Sequence, residues 1–353
     1  MVMDEDLRSF LKERAVQLEI QRTKALKMYY FYRIAKPLRT LLKGILILLF
    51  PVTFILPFLL PITIFVGVLF LALLVFNNPQ EVYESNLKND VLPTIFNKIR
   101  PNFTYSAKGY NNLALEESEI LDKGFFANTI EIQGEDFVRG TIENIDVEFC
   151  EIKFLKEKTN YGKTAGGCFL SILLIPIELV RNLVNRNARP NEIFFGFIQD
   201  VDVYFSGFFM YADFHKEFDG RVLMMPKKND KFKDRVNEIF QQKSLIKMSI
   251  ENPYIDNNYN IYTTNPQTGY YVLSQSLIDK IHIVIEKEKA LPIISFIQGK
   301  MYFLIPWDKN LFKADIFTKV EDERYFLRYI DEIESFEKIV RGLNLDVRIW
   351  SKT

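Results

Sequence analysis

Thirty-three consecutive residues, Gly44 to Phe76, contain no charged side chain. A bilayer core of ~30 Å is crossed by about 20 helical residues. One straight helix of the whole run would reach ~50 Å, too long for a single span without strong tilt. Pro51, Pro57 and Pro61 interrupt the run. A proline lacks the amide donor and disfavours helix in the residue before it. Leu56-Pro57 and Leu60-Pro61 stand near the midpoint, so the pattern predicts a helical membrane hairpin, Leu38 to Leu56 and Phe58 to Asn77. The alternative is one long, kinked and tilted helix. A signal peptide does not fit, because the run begins too far along the chain and lacks a cleavage pattern.

The polar and apolar positions on either side predict more. Asp4 to Ala35 holds no Pro or Gly and reads as one long helix, with Leu7, Leu11 and Leu18 near one face. Such a helix packs on the protein's own domain or on a second copy. After the hairpin, Glu81 to Ile99 has helical spacing up to Pro101, and Ala114 to Leu121 predicts a short helix. From Phe126 to Leu155 the period changes to two, with Thr129-Ile-Glu-Ile and Ile145-Asp-Val-Glu-Phe as strands. Glu192 to Asp213 is a second strand block. Asp230 to Gln241 reads as helix, Lys247 to Ile250 and Asn260 to Thr263 as strands, and Ser274 to Lys289 as helix. Leu291 to Phe296 and Lys300 to Pro306 form a hairpin around Gln298-Gly299. Glu321 to Arg341 predicts a long helix and Asp346 to Trp350 a last strand. Helices and strands mix without strict alternation, so the fold class is an α+β soluble domain with an N-terminal helical membrane hairpin. The division is 1–37 for the N-terminal helix, 38–77 for the hairpin and 78–353 for the α+β domain.

One segment departs from this pattern. Cys168 to Ile177 is a ten-residue apolar run, too short to span a bilayer and followed by Arg181, Arg186 and Arg189. As part of an added apolar helix at about 166–186, it has two readings. Phe169, Leu173 and Leu174 dip into lipid while Arg181 and Arg186 meet headgroups, or the helix is buried between strands.

Charge then sets orientation. From Arg22 to Lys43 there are seven basic residues and no acid, and Arg33, Lys36, Arg39 and Lys43 flank the apolar run directly. The positive-inside rule puts the N-terminus in the cytoplasm. A hairpin then keeps the large domain cytoplasmic, whereas a single span would place it outside. Lys and Arg together match Asp and Glu at 45 each, which points to no nucleic-acid partner. The two cysteines, Cys150 and Cys168, are no disulfide framework, and two histidines exclude a multi-histidine metal site.

The chain carries few signatures of chemistry. Tyr161-Gly-Lys-Thr164 mimics the end of a phosphate-binding loop, but Glu157 stands where the first glycine belongs. The densest polar cluster is Asp213, His215, Glu217 and Asp219, a carboxylate-flanked histidine suited to acid–base work or metal binding. Its interleaved Phe214 and Phe218, with Gly220 behind, read as a strand end and a turn. No catalytic residue, metal or cofactor is expected.

The stretch Ser206-Gly-Phe-Phe209, Ala212-Asp-Phe-His-Lys216, Phe218-Asp-Gly-Arg-Val222 and Pro226 resembles the bacterial membrane-protein family called domain of unknown function 3137. The likeness continues through Glu251-Asn-Pro253, Phe303-x-Ile-Pro306 and Leu343-Asn344 to Arg348-Ile-Trp350, roughly Leu92 to Trp350 in all. His215 stands where the family pattern has Asn, so no role for the imidazole follows. The resemblance implies two adjacent membrane helices near the N-terminus, no assigned activity, and a shared membrane assembly with LemA-like proteins.

These readings favour a non-catalytic module, anchored in the membrane, that binds membrane lipid, a protein partner such as a LemA-like membrane protein, or further copies of itself. One alternative is a membrane-tethered hydrolase using Asp213, His215 and Glu217. Another is an oligomeric channel or transport component, for which only Thr53 and Thr63 offer side-chain polarity within the apolar run.

Overall fold

The computed structural model describes residues 5–121, 131–142, 145–158, 200–213, 217–227, 245–306 and 310–342. They form two compact units. One holds 5–87 and 313–325, and the other is drawn from 88–157, 201–312 and 326–342.

In the first unit, α1 (Glu5–Ile55) runs unbroken through Pro37 and Pro51. The predicted N-terminal helix and the first hairpin arm are therefore one helix. A proline in a helix interior costs about 3 kcal/mol. The chain breaks where the prolines cluster: Leu56 leaves the helical region, with φ −125° and ψ 82° ahead of Pro57. One tight turn, Pro57–Leu59, leads into α2 (Leu60–Leu74), which packs back on α1. At the open end, an Arg39 guanidinium nitrogen donates to the carbonyl of Phe76. The chain thus carries a pair of apolar helices rather than one bent rod.

The polar half of α1 has its own core. Leu7, Leu11, Ala15 and Leu18 recur every third or fourth residue and are buried. Facing them is the segment 313–325. Arg22 pairs with Glu19 at 2.6 Å and donates to the carbonyl of Ile316 at 2.8 Å. Glu19 accepts from the amide of Val320 at 2.9 Å, and Arg8 pairs with Glu323 at 2.8 Å. Tyr29 meets Phe317 edge-on at 5.2 Å. Helix α3 (Pro79–Asn86), capped by Asn78, adds Gln80, which accepts from the amide of Ile316 at 3.1 Å. Of the two packing partners expected for this helix, its own chain is the one observed.

The second unit is built on one sheet. Among the described residues nine strands form it: β1 (Phe103–Lys108), β2 (Glu131–Ile142), β3 (Ile145–Lys158), β4 (Asp200–Asp213), β5 (Arg221–Pro226), β6 (Ile246–Met248), β7 (Tyr259–Thr263), β8 (Ile293–Ile297) and β9 (Lys300–Pro306). Their spatial order is β1-β2-β3-β4-β9-β8-β5-β7-β6. One face buries Ile152, Phe205, Phe209, Tyr302 and Leu304 under α5 (Asn112–Glu117) and the residues after it. On the other, Phe149 and Phe208 stack on Phe336 of α9 (Leu327–Gly342), with ring centroids 4.4 and 4.9 Å apart. There Phe96 of α4 (Leu92–Ile99) stacks on Tyr105 and meets Phe312 edge-on. Both faces are covered, so the inner strands bury successive residues.

The hairpin predicted around Gln298-Gly299 is present. Ile297 faces Lys300, and both turn residues have positive φ, +47° and +74°. That geometry suits the twist of the strands it joins. Helix α6 (Pro253–Asn258), helix α7 (Pro266–Val272) and helix α8 (Gln275–Glu288) fill the remaining connections. The predicted helix Glu321 to Arg341 opens as a tight turn, Glu323–Phe326, before α9 begins. The expected helix Asp230 to Gln241, the last strand Asp346 to Trp350, and the apolar helix at about 166–186 with Phe169, Leu173, Leu174, Arg181 and Arg186 lie outside the described residues.

Candidate functional site

In the first unit the notable surface is apolar. Leu48, Phe54, Ile55, Phe58, Phe65 and Val75 are each at least two-thirds exposed. Exposed large side chains this dense mark a surface that meets something other than water. The hydroxyls of Thr53 and Thr63 donate within their own helices, to Phe50 at 2.6 Å and Leu59 at 3.2 Å. Arg33, Lys36, Arg39 and Lys43 fall within about 120° of helical rotation on α1, so they share one face at the base of the pair. Arg33 and Lys36 are exposed, and Arg39 lies 5.6 Å from the ring of Tyr32.

The second unit carries a polar groove of about 380 Å³. It lies on the α5 side of the sheet, lined by residues from β1, β2, β3, β4 and β9. Glu117 pairs with Lys300 at 2.8 Å and accepts from the Tyr302 hydroxyl at 3.3 Å. That ammonium holds the Glu117 carboxyl below its ordinary range. Lys300 lies 5.6 Å from the ring of Tyr211, whose hydroxyl burial pushes up to about 12. Buried Glu148 accepts from Asn111 at 2.6 Å and pairs with Arg139 at 3.2 Å. Asn111 also caps α5, accepting from the amide of Ala114 at 3.0 Å, so helix and groove are positioned by the same side chain. Asp146 completes the polar lining. The arrangement offers paired charges, hydroxyls and one aromatic face to a polar ligand.

The sequence cluster maps differently. Asp213 ends β4, half-buried and opposite Lys300 in register, while Glu217 and Asp219 are exposed. His215 lies outside the described residues. Gly207, in the resemblance motif, has a packing reason: a Cβ there would sit 2.2 Å from the carbonyl oxygen of Ile305 on β9. The groove residues went unread because Asp146 and Glu148 look like the solvent side of an alternating strand, although Glu148 is in fact buried.

Fold and surface together define an α+β domain joined to a pair of apolar N-terminal helices. Residues 203–345 match the family described as Protein of unknown function (DUF3137), which bears out the resemblance over a stretch shorter than the motifs span. Among solved structures the chain is similar to the crystal structure of the mycobacterial trehalose monomycolate transport factor A, TtfA. The identity is 9%, the TM-score is 0.31, and the alignment covers 72% of this chain and 97% of that one. No curated protein matches.

Proposed function

We propose that this protein is a membrane-anchored, non-catalytic module whose sheet domain binds a protein partner or lipid surface within a membrane assembly. The supporting observation is the exposed apolar surface of α1 and α2, which stabilises the chain only where lipid covers it. Arg33, Lys36, Arg39 and Lys43 then serve as interface residues, each contributing about 1 kcal/mol where it meets anionic headgroups. Both helix ends lie on the cytoplasmic side of a bacterial inner membrane in this reading, and so does the large domain. The groove over β1 to β9 is the surface offered to the partner.

The test is sidedness. Reporter fusions before Met1 and after Thr353 should both report the cytoplasm, and the chain should resist alkaline extraction. An external C-terminus removes the hairpin anchor. Purification from detergent should return the chain with a stoichiometric partner or as a defined oligomer. A clean monomer alone counts against the binding module.

A further inference from the structure

The second unit buries a charged cluster that none of the surfaces above uses. Lys88 lies in a single π-helical turn, Leu87–Val91, a geometry frequent at functional sites. Its ammonium meets Asp136 at 2.6 Å, and the Tyr105 hydroxyl donates to the same carboxylate at 2.6 Å. Asp136 sits at a bulge between Glu135 and Val138 with φ +54°, and Phe312 has φ +49°. Non-glycine residues rarely adopt this region, and such outliers gather where surrounding structure imposes them. Two further carboxylates hold consecutive amides: Glu151 accepts from Leu311, and Glu332 accepts from Phe312 at 3.0 Å. Phe312 is the last residue of this unit before the chain passes to the other.

The charges do not balance. Asp136 has Lys88, and Glu332 has Arg328 as a nearby cation. Glu151 is 6% exposed and forms no ion pair among the described residues; Lys88, whose charge also reaches it, is paired with Asp136. Lys153, two positions along β3, is 3.6 Å from Glu135 instead. Asp136 faces Glu151 across the cluster, and Cys150 and Glu148 flank it on its own strand. A buried carboxylate without a cation does not stay charged; it takes up a proton.

We propose that Glu151 is a proton-binding site that holds one proton while the 310–312 segment is seated and releases it when that segment opens to water. The closed, dry site favours the neutral acid; the hydrated, open one favours the carboxylate. Burial and Asp136 accordingly push the Glu151 carboxyl up to about 7. Proton linkage then makes opening of 310–312 pH-dependent, with one proton exchanged.

Hydrogen exchange of the full chain in nanodiscs reads this directly. After correction for intrinsic rates, protection of the Leu311 and Phe312 amides should fall roughly tenfold per pH unit between about pH 5 and pH 7 and level off above. Glu151→Gln keeps an acceptor but cannot titrate, so its protection should be flat. Glu148→Gln, on the opposite face of β3, should keep the wild-type slope. Flat protection in the wild type, or an unchanged slope in Glu151→Gln, overturns the proposal. Should Glu151→Gln fail to fold, difference infrared spectra of the wild type decide. A protonated-carboxyl band that disappears between about pH 6 and pH 8 supports the site, and its absence overturns it.

Discussion

The two units invert each other. In the first, side chains such as Leu48, Phe54 and Phe65 point outward. In the second, Lys88, Asp136, Glu148 and Glu151 point inward. Burial rules stated for water alone would call both unusual. The difference teaches that each surface must be judged by the medium it meets. Apolar helices exposed along their length are stable against lipid, where backbone amides are satisfied within the helix. Charges buried in the sheet unit are tolerated only because each finds a cation, a hydroxyl, an amide or a proton.

The largest expected effect comes from breaking the buried pair. Lys88→Ala leaves Asp136 buried without its cation, to be held either as a dry charge or by taking up a proton, which should cost about 3–5 kcal/mol. Urea unfolding of the chain in detergent measures it through the midpoint for the sheet unit. A loss below about 1 kcal/mol would mean that water already reaches Asp136 and that the inversion is not real.

The opposite manipulation places a charge on the apolar surface. Leu48→Arg should oppose bilayer insertion by about 2.5–3.5 kcal/mol. The fraction of protein resisting alkaline extraction should drop, while the melting of the sheet unit stays unchanged. Equal retention of wild type and variant would show that this surface is covered by protein rather than lipid.

How much of this contrast could be read in advance varies by element. The apolar run, the proline break at Leu56-Pro57, the hairpin at Gln298-Gly299 and α8 each carry a local signal that tertiary structure did not override. Strand β5 was missed because Arg221 to Met225 are all buried, which removes the alternation that marks a strand. Helices α6 and α7 were missed although both announce themselves. Asn252-Pro253 and Asn265-Pro266 place a capping Asn before an N1 proline, and each Asn accepts from an amide two or three residues on, at 3.1 and 2.9 Å. Strand β1, Phe103-Thr-Tyr-Ser-Ala-Lys, is six residues long and easily lost behind Pro101. The groove and the buried cluster depend on long-range pairing, such as Lys88 with Asp136 and Glu151 with Leu311, which no local spacing encodes.

A third, smaller effect is pH. Glu151 has its ordinary carboxyl value of 4.5 in the unfolded chain and about 7 when folded. The folded state therefore binds the extra proton, and stability contributed by that proton falls as pH rises from about 4.5 to about 7. At pH 8 the full penalty, roughly 3 kcal/mol, remains. Glu151→Gln should remove it, so the variant is more stable than wild type at pH 8 and equal to it near pH 4. Asp136 works in the same direction, pushed up to about 6 by burial while Lys88 and Tyr105 oppose the shift. A wild-type stability that rises across this window would reverse the assigned sign.

The smallest effect is the control that gives the others meaning. Glu334 and Lys338 form an ion pair one turn apart on α9, 3.8 Å long, with the lysine 70% exposed. Its opposite charges are as formal as those of Lys88 and Asp136, and only the surroundings differ. In water the Coulomb gain nearly cancels against lost side-chain freedom, so Glu334→Gln should cost about 0.3–0.5 kcal/mol and less in high salt. Measured beside Lys88→Ala under the same conditions, the ratio of the two losses isolates what burial adds to one and the same pairing. A Glu334→Gln loss as large as that of Lys88→Ala would show that charge count, and not the medium around the charge, governs the second unit.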